Sequence, residues 1–439
     1  MIKTEEKELE KTKVVDDLNQ DTLSALKAKL SKKEDGNMTA KIVAPKKRSI
    51  NLGVVGTGQG GSRLAEAFYG LGYNAVVLNT AQQDLEHIKV PEENKLLLQF
   101  GLGGAAKELE IGREAAETYR DRIHVLVQEK LEDAQAFVLC LSLGGGSGAG
   151  SCETVVDVLS SVGKPMVVIS VLPMTNDDAQ TKHNALETLS RLAKLVQSKK
   201  IQSMVVVDNA KIETIYSDVS QLEFFSVANK AIIEPIEQFN ILSAQSSPSK
   251  ALDSTEWAKL LIDGEGLSVF GSLTVDNYQD ETAIAEAVVS NLDHNLLAGG
   301  FDLKQSKYAG FIVAANKEVW NKIPSAAVNY ARALIQEHAG TPKALFHGIY
   351  VTDDQEDSVK IYSCFTGLSL PMSRVDTLKK EAMELMNQAK SKDTTRSLNL
   401  TLETGANETV SAAQKVKDKI ASKSSAFGKF MGSVVDKRK

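Results

Sequence analysis

A chain of 439 residues exceeds the length of one usual core, so we expect two domains with further segments around them. Hydrophobic residues make up 42% of the chain, and no apolar run approaches the roughly 20 residues of a membrane span. The charged start is unlike a secretory signal, and the net charge of −6 gives no general reason to expect nucleic acid binding. The three cysteines lack metal-ligand spacing, which is typical of reduced thiols in a cytoplasmic protein.

The first 48 residues differ in character from the rest of the chain. Val15, Leu18, Leu26 and Leu30 have helical spacing in a charged background, which predicts a short amphipathic helix before a linker. From Ser49, apolar strands alternate with amphipathic helices, as in α/β domains with a parallel sheet. The predicted strands of this part are residues 50–55, 74–79, 95–100, 136–143, 164–172 and 203–209. Apolar stripes predict one helix through Ile111, Ala115, Tyr119, Ile123 and Leu131, and another through Ala185, Leu189, Leu192 and Val196.

A longer helix is predicted from Ser220 to about Leu242. A smaller α+β domain is predicted from about Gly264 to Leu370 and lacks glycine loops, so it looks structural. Its predicted strands are residues 267–275, 308–315, 344–351 and 358–366, and its predicted helices are Asp280 to Leu297 and Val319 to His338.

The glycine heptad Gly144–Gly150 (GGGSGAG) is the most informative stretch. It lies after a predicted buried strand and before residues 151–161, a predicted helix. Packing alone disfavours such a run, because glycine loses the most backbone entropy on folding. A glycine turn before a helix start is typical of a phosphate site, although a flexible connecting loop is the plain alternative. A Walker A loop is excluded, because no lysine occurs between Lys130 and Lys164.

A second glycine loop, residues 51–62, contains Gly56, Gly58 and Gly61 in the spacing G-x-G-x-x-G. A dinucleotide fold would place Asp or Glu about 20 residues further on to bind the ribose. Here the next strand ends in Asn79, which disfavours a dinucleotide oxidoreductase. Two glycine loops without that acidic residue predict a mononucleotide held from several sides.

Four segments together resemble the FtsZ/tubulin superfamily, with the nearest likeness to its prokaryotic FtsZ-like members. They are GVVGTGQGGS, NTAQQDL (79–85), GLGGAAKELEIGREAAE (101–117) and the glycine heptad, and the resemblance runs from about Ser49 to about Leu370. It implies GTP as ligand, with Mg²⁺ held mainly through the phosphates and no metal site of the protein's own. The nucleotide loops then supply Gly58, Gln59, Gly60, Gly61, Asn79, Gly103, Gly104, Ala105, Gly144, Gly145, Gly146, Ser147 and Gly148.

The resemblance also implies which residues bind the base and the ribose. Asn209 and Asn229 would read guanine through their side-chain amides, and Phe225, one turn before Asn229, would stack on the base. Core packing is the alternative role of Phe225. FtsZ proteins usually place Asp after the second of these asparagines, whereas this chain has Lys230.

The loop at residues 173–178 would approach the ribose through Asp177, with Thr181 or Lys182 near the position of an FtsZ arginine. Capping of the next helix is the alternative role of Asp177 and Asp178.

Residues 251–261 (ALDSTEWAKLL) resemble the FtsZ catalytic loop. Asp253 and Glu256 hold its acidic positions and would enter the phosphate site of the next subunit, where a carboxylate can orient the attacking water. The same spacing also fits a capping box at a helix start. The resemblance favours catalysis.

The resemblance therefore implies a cytoplasmic GTPase of the cytoskeletal type, which hydrolyses GTP at the interface of a head-to-tail homopolymer. The alternative is a nucleotide-binding structural or regulatory homologue with little or no hydrolysis.

The last stretch departs from FtsZ. Val416, Ile420, Phe427, Met431 and Val434 have near-helical spacing among lysines. This basic amphipathic tail could dock on a membrane surface, a partner protein or DNA, or be a solvated tail.

The predicted segments are 1–48 (extension and linker), 49–219 (nucleotide-binding domain), 220–245 (central helix), 246–262 (catalytic loop and helix), 263–371 (C-terminal domain), 372–408 (helix and polar linker) and 409–439 (tail). We expect both terminal extensions to be flexible.

Overall fold

One mixed β-sheet runs through the described part of the chain. The computed structural model describes residues 47–220, 223–279 and 282–395. The strands are β1 (Leu52–Thr57), β2 (Asn74–Asn79), β3 (Lys95–Leu97), β4 (Ala136–Ser142), β5 (Met166–Leu172), β6 (Ser203–Asp208), β7 (Gly266–Val275), β8 (Tyr308–Asn316), β9 (Ala344–Thr352) and β10 (Val359–Leu368). They lie in the order β3-β2-β1-β4-β5-β6-β7-β10-β8-β9. Every predicted strand is present, although β3 is shorter than predicted.

Helices flank the sheet and bury both of its faces. In β1, Leu52 and Val54 belong to one hydrophobic cluster and Val55 to another, so alternate residues point into separate cores. This two-sided burial is characteristic of parallel α/β sheets. The helices are α1 (Gly58–Gly70), α2 (Gln82–Glu86), α3 (Leu109–Thr118), α4 (Arg120–Lys130), α5 (Gly146–Ser161), α6 (Ala179–Gln197), α7 (Asn209–Ile215), α8 (Phe224–Leu242), α9 (Ser254–Leu261), α10 (Ala283–Ser290), α11 (Lys317–Trp320), α12 (Ser325–His338) and α13 (Met372–Thr395).

The sheet continues from the first half of the chain into the second. Strands β1 to β6 pair in parallel, and β6 also pairs in parallel with β7 through residues 203–205 and 266–268. Beyond this point β10 is antiparallel to both β7 and β8, and β8 is parallel to β9. The predicted fold class is confirmed, with a parallel half and a mixed half joined in sequence by the long helix α8. The exact domain boundaries stay predictions.

Three helices that were predicted to be continuous are each divided in the structure. The stripe from Ile111 to Leu131 is divided between α3 and α4, because Tyr119 leaves the helical region with φ −103° and ψ 10°. The predicted helix from Val319 to His338 is also two helices, and Pro324 separates them. Proline lacks the N–H that a helix interior needs and disfavours helical geometry in the residue before it. The predicted helix from Asp280 to Leu297 is α10 with a π-helical turn, Asn291–Asn295, after it.

The glycine heptad is not a loop along its whole length. Helix α5 begins at Gly146 rather than at Ser151, so most of the heptad lies within the start of the helix. Helix α1 likewise begins at Gly58, inside the first glycine loop. The glycines therefore place helix starts, and not flexible loops, at the carboxyl ends of β1 and β4.

The carboxyl-terminal half of α8 is tied to the segment that enters β1. The buried carboxylate of Glu237 accepts hydrogen bonds from Arg48 (2.7 Å from Nη2) and from the Tyr73 hydroxyl. The Asn240 side-chain amide accepts a hydrogen bond from the Ile50 nitrogen and donates one to the Ile50 oxygen, both at 2.9 Å. Because a buried carboxylate needs charged and hydrogen-bonded partners, this cluster fixes the helix against the start of the sheet.

The described chain groups into one compact unit up to Leu385, and the last part of α13 belongs to a second unit. Among the described helices, none is both long and apolar enough to cross a membrane. The predicted helix near Val15 and the predicted tail at 409–439 lie outside the described residues.

Candidate nucleotide site

Helices α1 and α5 begin side by side without side-chain caps. Thr57 and Gly145, which precede them, make no capping hydrogen bond. By contrast, α6 and α7, which come after β5 and β6 at the same sheet edge, are capped by Asp178 and Asp208. The first N–H groups of a helix lack intrahelical partners and carry partial positive charge. Two such starts in contact form a suitable site for phosphate groups.

Most of the glycines around these two helix starts are required because neighbouring atoms leave no room for a side chain. A Cβ at Gly58 would lie 2.6 Å from the Gly148 nitrogen, and one at Gly148 would lie 2.6 Å from the Thr57 oxygen. Gly58 also has φ +68°, which favours glycine. A Cβ at Gly61 would lie 2.1 Å from the Cys140 oxygen. Because these three glycines have no side chain, the backbones of the two helix starts and of β4 can come into contact.

Three further glycines of the predicted set also face protein atoms. A Cβ at Gly60 would collide with the Ser142 hydroxyl, and one at Gly144 with Thr181. A Cβ at Gly146 would lie 2.8 Å from that of Ala105.

Gly145 is different. A Cβ on this residue would meet no heavy atom within 4 Å, and its φ of −82° suits any residue. The protein's own packing therefore does not explain glycine here. Open space beside an uncapped helix start is what a bound phosphate would need.

The third predicted loop packs directly against α5. The Gly104 N–H donates to the Thr80 oxygen at 2.8 Å, and the hydroxyls of Thr80 and Ser147 are hydrogen bonded. Gly103 and Gly104 have φ values of +91° and +77°. Left-handed backbone at these glycines lets the loop turn back onto the helix start. The structure thus brings Gly104, Ala105 and Ser147 together, and their contact with a nucleotide stays a prediction.

Asp84 holds two of the predicted residues. One of its carboxylate oxygens accepts from the amide of Gln59 and the other from the buried amide of Asn79, both at 3.0 Å. Asp84 belongs to the NTAQQDL segment, but sequence reasoning assigned it no role. Its position in the sequence could have indicated a role, because it lies on the short helix α2, directly after the strand that ends in Asn79.

The predicted base-binding residues lie on two helices. Asn209 is the first residue of α7, directly after β6, and therefore lies at the same sheet edge as the glycine turns. Phe225 and Asn229 lie one turn apart on α8 and are half-buried. The guanidinium of Arg63, from α1, lies 4.8 Å from the centre of the Phe225 ring. This contact places the predicted aromatic platform beside the helix that begins at Gly58, and the sequence had not singled out Arg63.

The loop at residues 173–178 is held by hydrogen bonds within the loop and with the residues around it. Asp178 caps α6 by accepting from Thr181, as the capping interpretation predicts, and it also pairs with Lys107. Burial raises its pKa, but the bonds from Lys107 and Thr181 outweigh burial and lower the pKa to about 2. One carboxylate oxygen of Asp177 accepts a hydrogen bond from the Met174 nitrogen at 2.7 Å, and this bond fixes the turn of the loop. The predicted ribose contact of Asp177 stays a prediction.

A buried ionic network connects α13 to this edge. Lys182 is buried and binds the Thr175 oxygen and the Glu381 carboxylate, both at 2.7 Å. These two bonds hold the Lys182 ammonium group inside the protein, so it is not available to bind a ribose. Arg374 pairs with Asp208 at 2.6 Å, one residue before Asn209. Nothing in the sequence had connected α13 with the nucleotide loops.

Asp253 and Glu256 form a capping box at the start of α9. Oδ1 of Asp253 accepts from the nitrogens of Thr255 and Glu256 at 2.8 Å, and Glu256 accepts from the Asp253 nitrogen at 3.1 Å. The capping interpretation of the spacing is thus confirmed. It does not exclude catalysis, since Asp253 is exposed and the box fixes both carboxylates on one face.

Comparison with known proteins shows the family of the chain. Residues 51–217 match the family model described as Tubulin/FtsZ family, GTPase domain, and residues 238–379 match Tubulin/FtsZ-like protein TubZ-like, C-terminal domain. The chain belongs to the FtsZ/tubulin superfamily. The tubulin-like protein CetZ of Pyrococcus abyssi is 25% identical over 346 residues, which cover 76% of this chain and 90% of CetZ. The tubulin-like protein TubZ of Bacillus cereus is 22% identical over 377 residues, covering 78% of this chain and 86% of TubZ.

The fold is also similar to a solved superfamily structure. A GTPγS-form protofilament of TubZ from Bacillus thuringiensis serovar israelensis superposes with a TM-score of 0.71 at 21% identity, covering 80% of this chain and 95% of that chain. The GTPase-domain match spans the glycine turns, Asp84 and the start of α7. The second match spans Asp253, Glu256 and the beginning of α13.

We expect Gly145→Val to abolish nucleotide binding without unfolding the protein, because its side chain would fill the open space beside α5. Gly299→Val is the matched control, since a Cβ there also meets nothing within 4 Å. Binding of a fluorescent GTP analogue and thermal unfolding should be measured for both. An unchanged GTP affinity in Gly145→Val would contradict the assignment of this space to phosphate.

Proposed function

We propose that this chain is a cytoplasmic, GTP-dependent filament protein that assembles head to tail and hydrolyses GTP at the contact between subunits. The observation that carries the proposal is the junction of two uncapped helix starts, at Gly58 and Gly146, beside the open space at Gly145. The GTPase-domain match covers this junction. The structural relatives include a GTPγS-form protofilament, which supports assembly with a nucleoside triphosphate.

The N–H groups of both helix starts would bind the phosphates and stabilise negative charge that develops during hydrolysis. Mg²⁺ bound mainly through the phosphates would supply further charge neutralisation. The open space at Gly145 and the partial positive charge of the helix starts beside it suit a phosphate group. On the base side, Phe225 would stack on guanine while the amides of Asn209 and Asn229 read its edge.

Asp253 and Glu256 would act on the nucleotide of the neighbouring subunit. The capping box holds both carboxylates at the exposed start of α9. Inserted beside a terminal phosphate, a carboxylate fixed in this way can orient the attacking water and accept its proton. A single subunit would then bind nucleotide without completing the catalytic site, so hydrolysis would depend on assembly.

The capping box also favours a second candidate function. Because both acidic side chains have a structural role in the isolated subunit, the chain could be a nucleotide-binding filament or regulatory protein with little hydrolysis. The two functions differ in turnover, not in nucleotide binding.

With GTP, we expect the purified protein to form filaments in electron micrographs, and with GDP few or none. A slowly hydrolysed analogue should give longer-lived filaments. GTPase activity should rise more than linearly with protein concentration, because each active site needs two subunits. Activity strictly proportional to concentration would rule out catalysis shared between subunits.

Replacement of Glu256 separates catalysis from capping. Glutamine can still accept the hydrogen bond of a capping box, but it lacks the carboxylate. We expect Glu256→Gln and Glu256→Ala both to bind GTP and assemble while turnover falls by about 100-fold, as for loss of a general base. If only Glu256→Ala is slow, or neither is, the residue is a cap and the catalytic group lies elsewhere.

We further propose that residues 409–439 form a detachable docking segment for an anionic surface or an acidic partner. The support is the sequence, in which lysines alternate with Val416, Ile420 and Phe427. A membrane surface, a partner protein and DNA all present suitable negative charge.

Deletion of residues 409–439 is expected to leave GTPase activity and filament formation intact but to disperse filaments from their cellular position. Replacing Lys415, Lys417, Lys419 and Lys423 by glutamine should have the same effect while preserving length, because the attraction is electrostatic. Fluorescence microscopy and sedimentation would measure the two properties. Loss of assembly on deletion would assign the tail to the filament instead.

A further inference from the structure

The segment before α9 lies along strand β9, which is at one edge of the described sheet. The Ile349 nitrogen donates to the Lys250 oxygen at 2.8 Å, and the Ser247 hydroxyl donates to the Ile349 oxygen. These bonds occupy both backbone groups of one edge residue. The segment leading to Asp253 is therefore attached to the second half of the molecule.

Tyr350 strengthens this attachment with a single hydroxyl group. The hydroxyl donates to the Leu252 oxygen at 2.8 Å and accepts from the Leu252 nitrogen at 2.9 Å. Both side chains are buried, with 1% of Tyr350 and none of Leu252 exposed. Because Leu252 immediately precedes Asp253, the hydroxyl fixes the backbone at the point where the acidic pair begins.

The surroundings of Tyr350 are shaped for this contact. A Cβ at residue 348 would lie 2.3 Å from the Tyr350 ring and 3.1 Å from the Leu252 nitrogen, so Gly348 leaves room for both. Burial raises the pKa of Tyr350 to about 12 despite the hydrogen bond from Leu252, and the charges of Glu256 and Asp253 add to the increase. The hydroxyl therefore keeps its proton near neutral pH and can donate and accept at once.

The body of α9 is held by the central helix, α8. The Trp257 indole donates to Oδ1 of Asn240 at 3.2 Å and stacks on Phe239 with 5.1 Å between ring centres. The acidic pair thus lies between two anchors, Asn240 on α8 and Tyr350 on β9. The α8 anchor holds the helix body, whereas the β9 anchor holds the residue beside Asp253.

We propose that Tyr350 is a positioning residue for hydrolysis, which sets the orientation of Asp253 and Glu256 through the Leu252 backbone. The inference rests on the proposed catalytic role of those carboxylates. It assigns to the second half of the chain, which has no nucleotide loop of its own, control over how the acidic pair enters the neighbouring subunit.

The test is Tyr350→Phe, which retains the ring and removes both hydrogen bonds to Leu252. We expect unchanged GTP affinity, filaments of normal appearance, and a fall in kcat of about tenfold from loss of two hydrogen bonds. Amide hydrogen exchange at residues 250–256 should increase. Tyr362→Phe is the matched control, because this buried tyrosine on β10 bonds to Glu234, outside the catalytic loop, and should leave kcat unchanged.

A double variant shows whether the effect acts through the carboxylates. Tyr350→Phe added to Glu256→Gln should slow turnover by less than it slows the wild type, because the two changes affect one function. Normal kcat in Tyr350→Phe, or a full further loss in the double variant, would overturn the inference. If the wild type does not hydrolyse GTP, or Glu256→Gln is as fast as the wild type, the proposed catalysis fails and the role of Tyr350 falls with it.

Discussion

The close approach of Gly58 and Gly148 determines how the candidate site is built. A Cβ at either position would lie 2.6 Å from backbone of the other turn, so the two helix starts can meet only because side chains are absent. Their contact brings two sets of helix N–H groups to one place at the carboxyl edge of the sheet. The loop containing Ala105, the Asp84 carboxylate and the chain at Asn79 are then arranged around that junction. The site thus depends on a steric requirement of the fold before any ligand is considered.

Helix α13 supplies a second constraint, and it is electrostatic. Lys182 and Asp208 have side chains only 3% and 5% exposed, and their partners Glu381 and Arg374 both come from α13. An exposed ion pair contributes about 0–1 kcal/mol, whereas removing one partner of a buried pair costs about 3–5 kcal/mol. Loss of Glu381 or Arg374 would leave a buried charge without its counter-charge, so these contacts favour one arrangement of the loop at Thr175 and of the start of α7. Through these contacts helix α13 supports the loops that are predicted to bind the ribose and the base.

The start of α9 combines an observed capping role with a proposed catalytic one. The hydrogen bonds of the box hold Asp253 and Glu256 to backbone nitrogens of their own helix. A residue that must reach into another subunit benefits from such restraint, because a freely rotating carboxylate would lose conformational entropy at each encounter. Anchors on α8 and β9 extend the restraint to the whole helix. The rigid element is assembled from both halves of the chain.

The positions of the strands along the chain, the position of the glycine turns and the amphipathic helix α6 could all be predicted from the sequence, because they depend on local hydrophobic periodicity and on residues adjacent in the chain. The capping box was likewise visible in the spacing of Asp253 and Glu256. The break at Tyr119 was missed because a continuous apolar stripe hides a local change of backbone, whereas the break before α12 could have been predicted from Pro324. Only the tertiary structure decided which glycines are needed for packing. Of the first three glycines in the heptad, Gly144 and Gly146 face protein atoms and Gly145 faces open space. The tertiary structure also decided that Lys182 is committed to Glu381 and that Tyr350 holds Leu252. Partners separated by about 100 or 200 residues, as these are, leave no periodic signal, since their contact depends on how the folded elements pack.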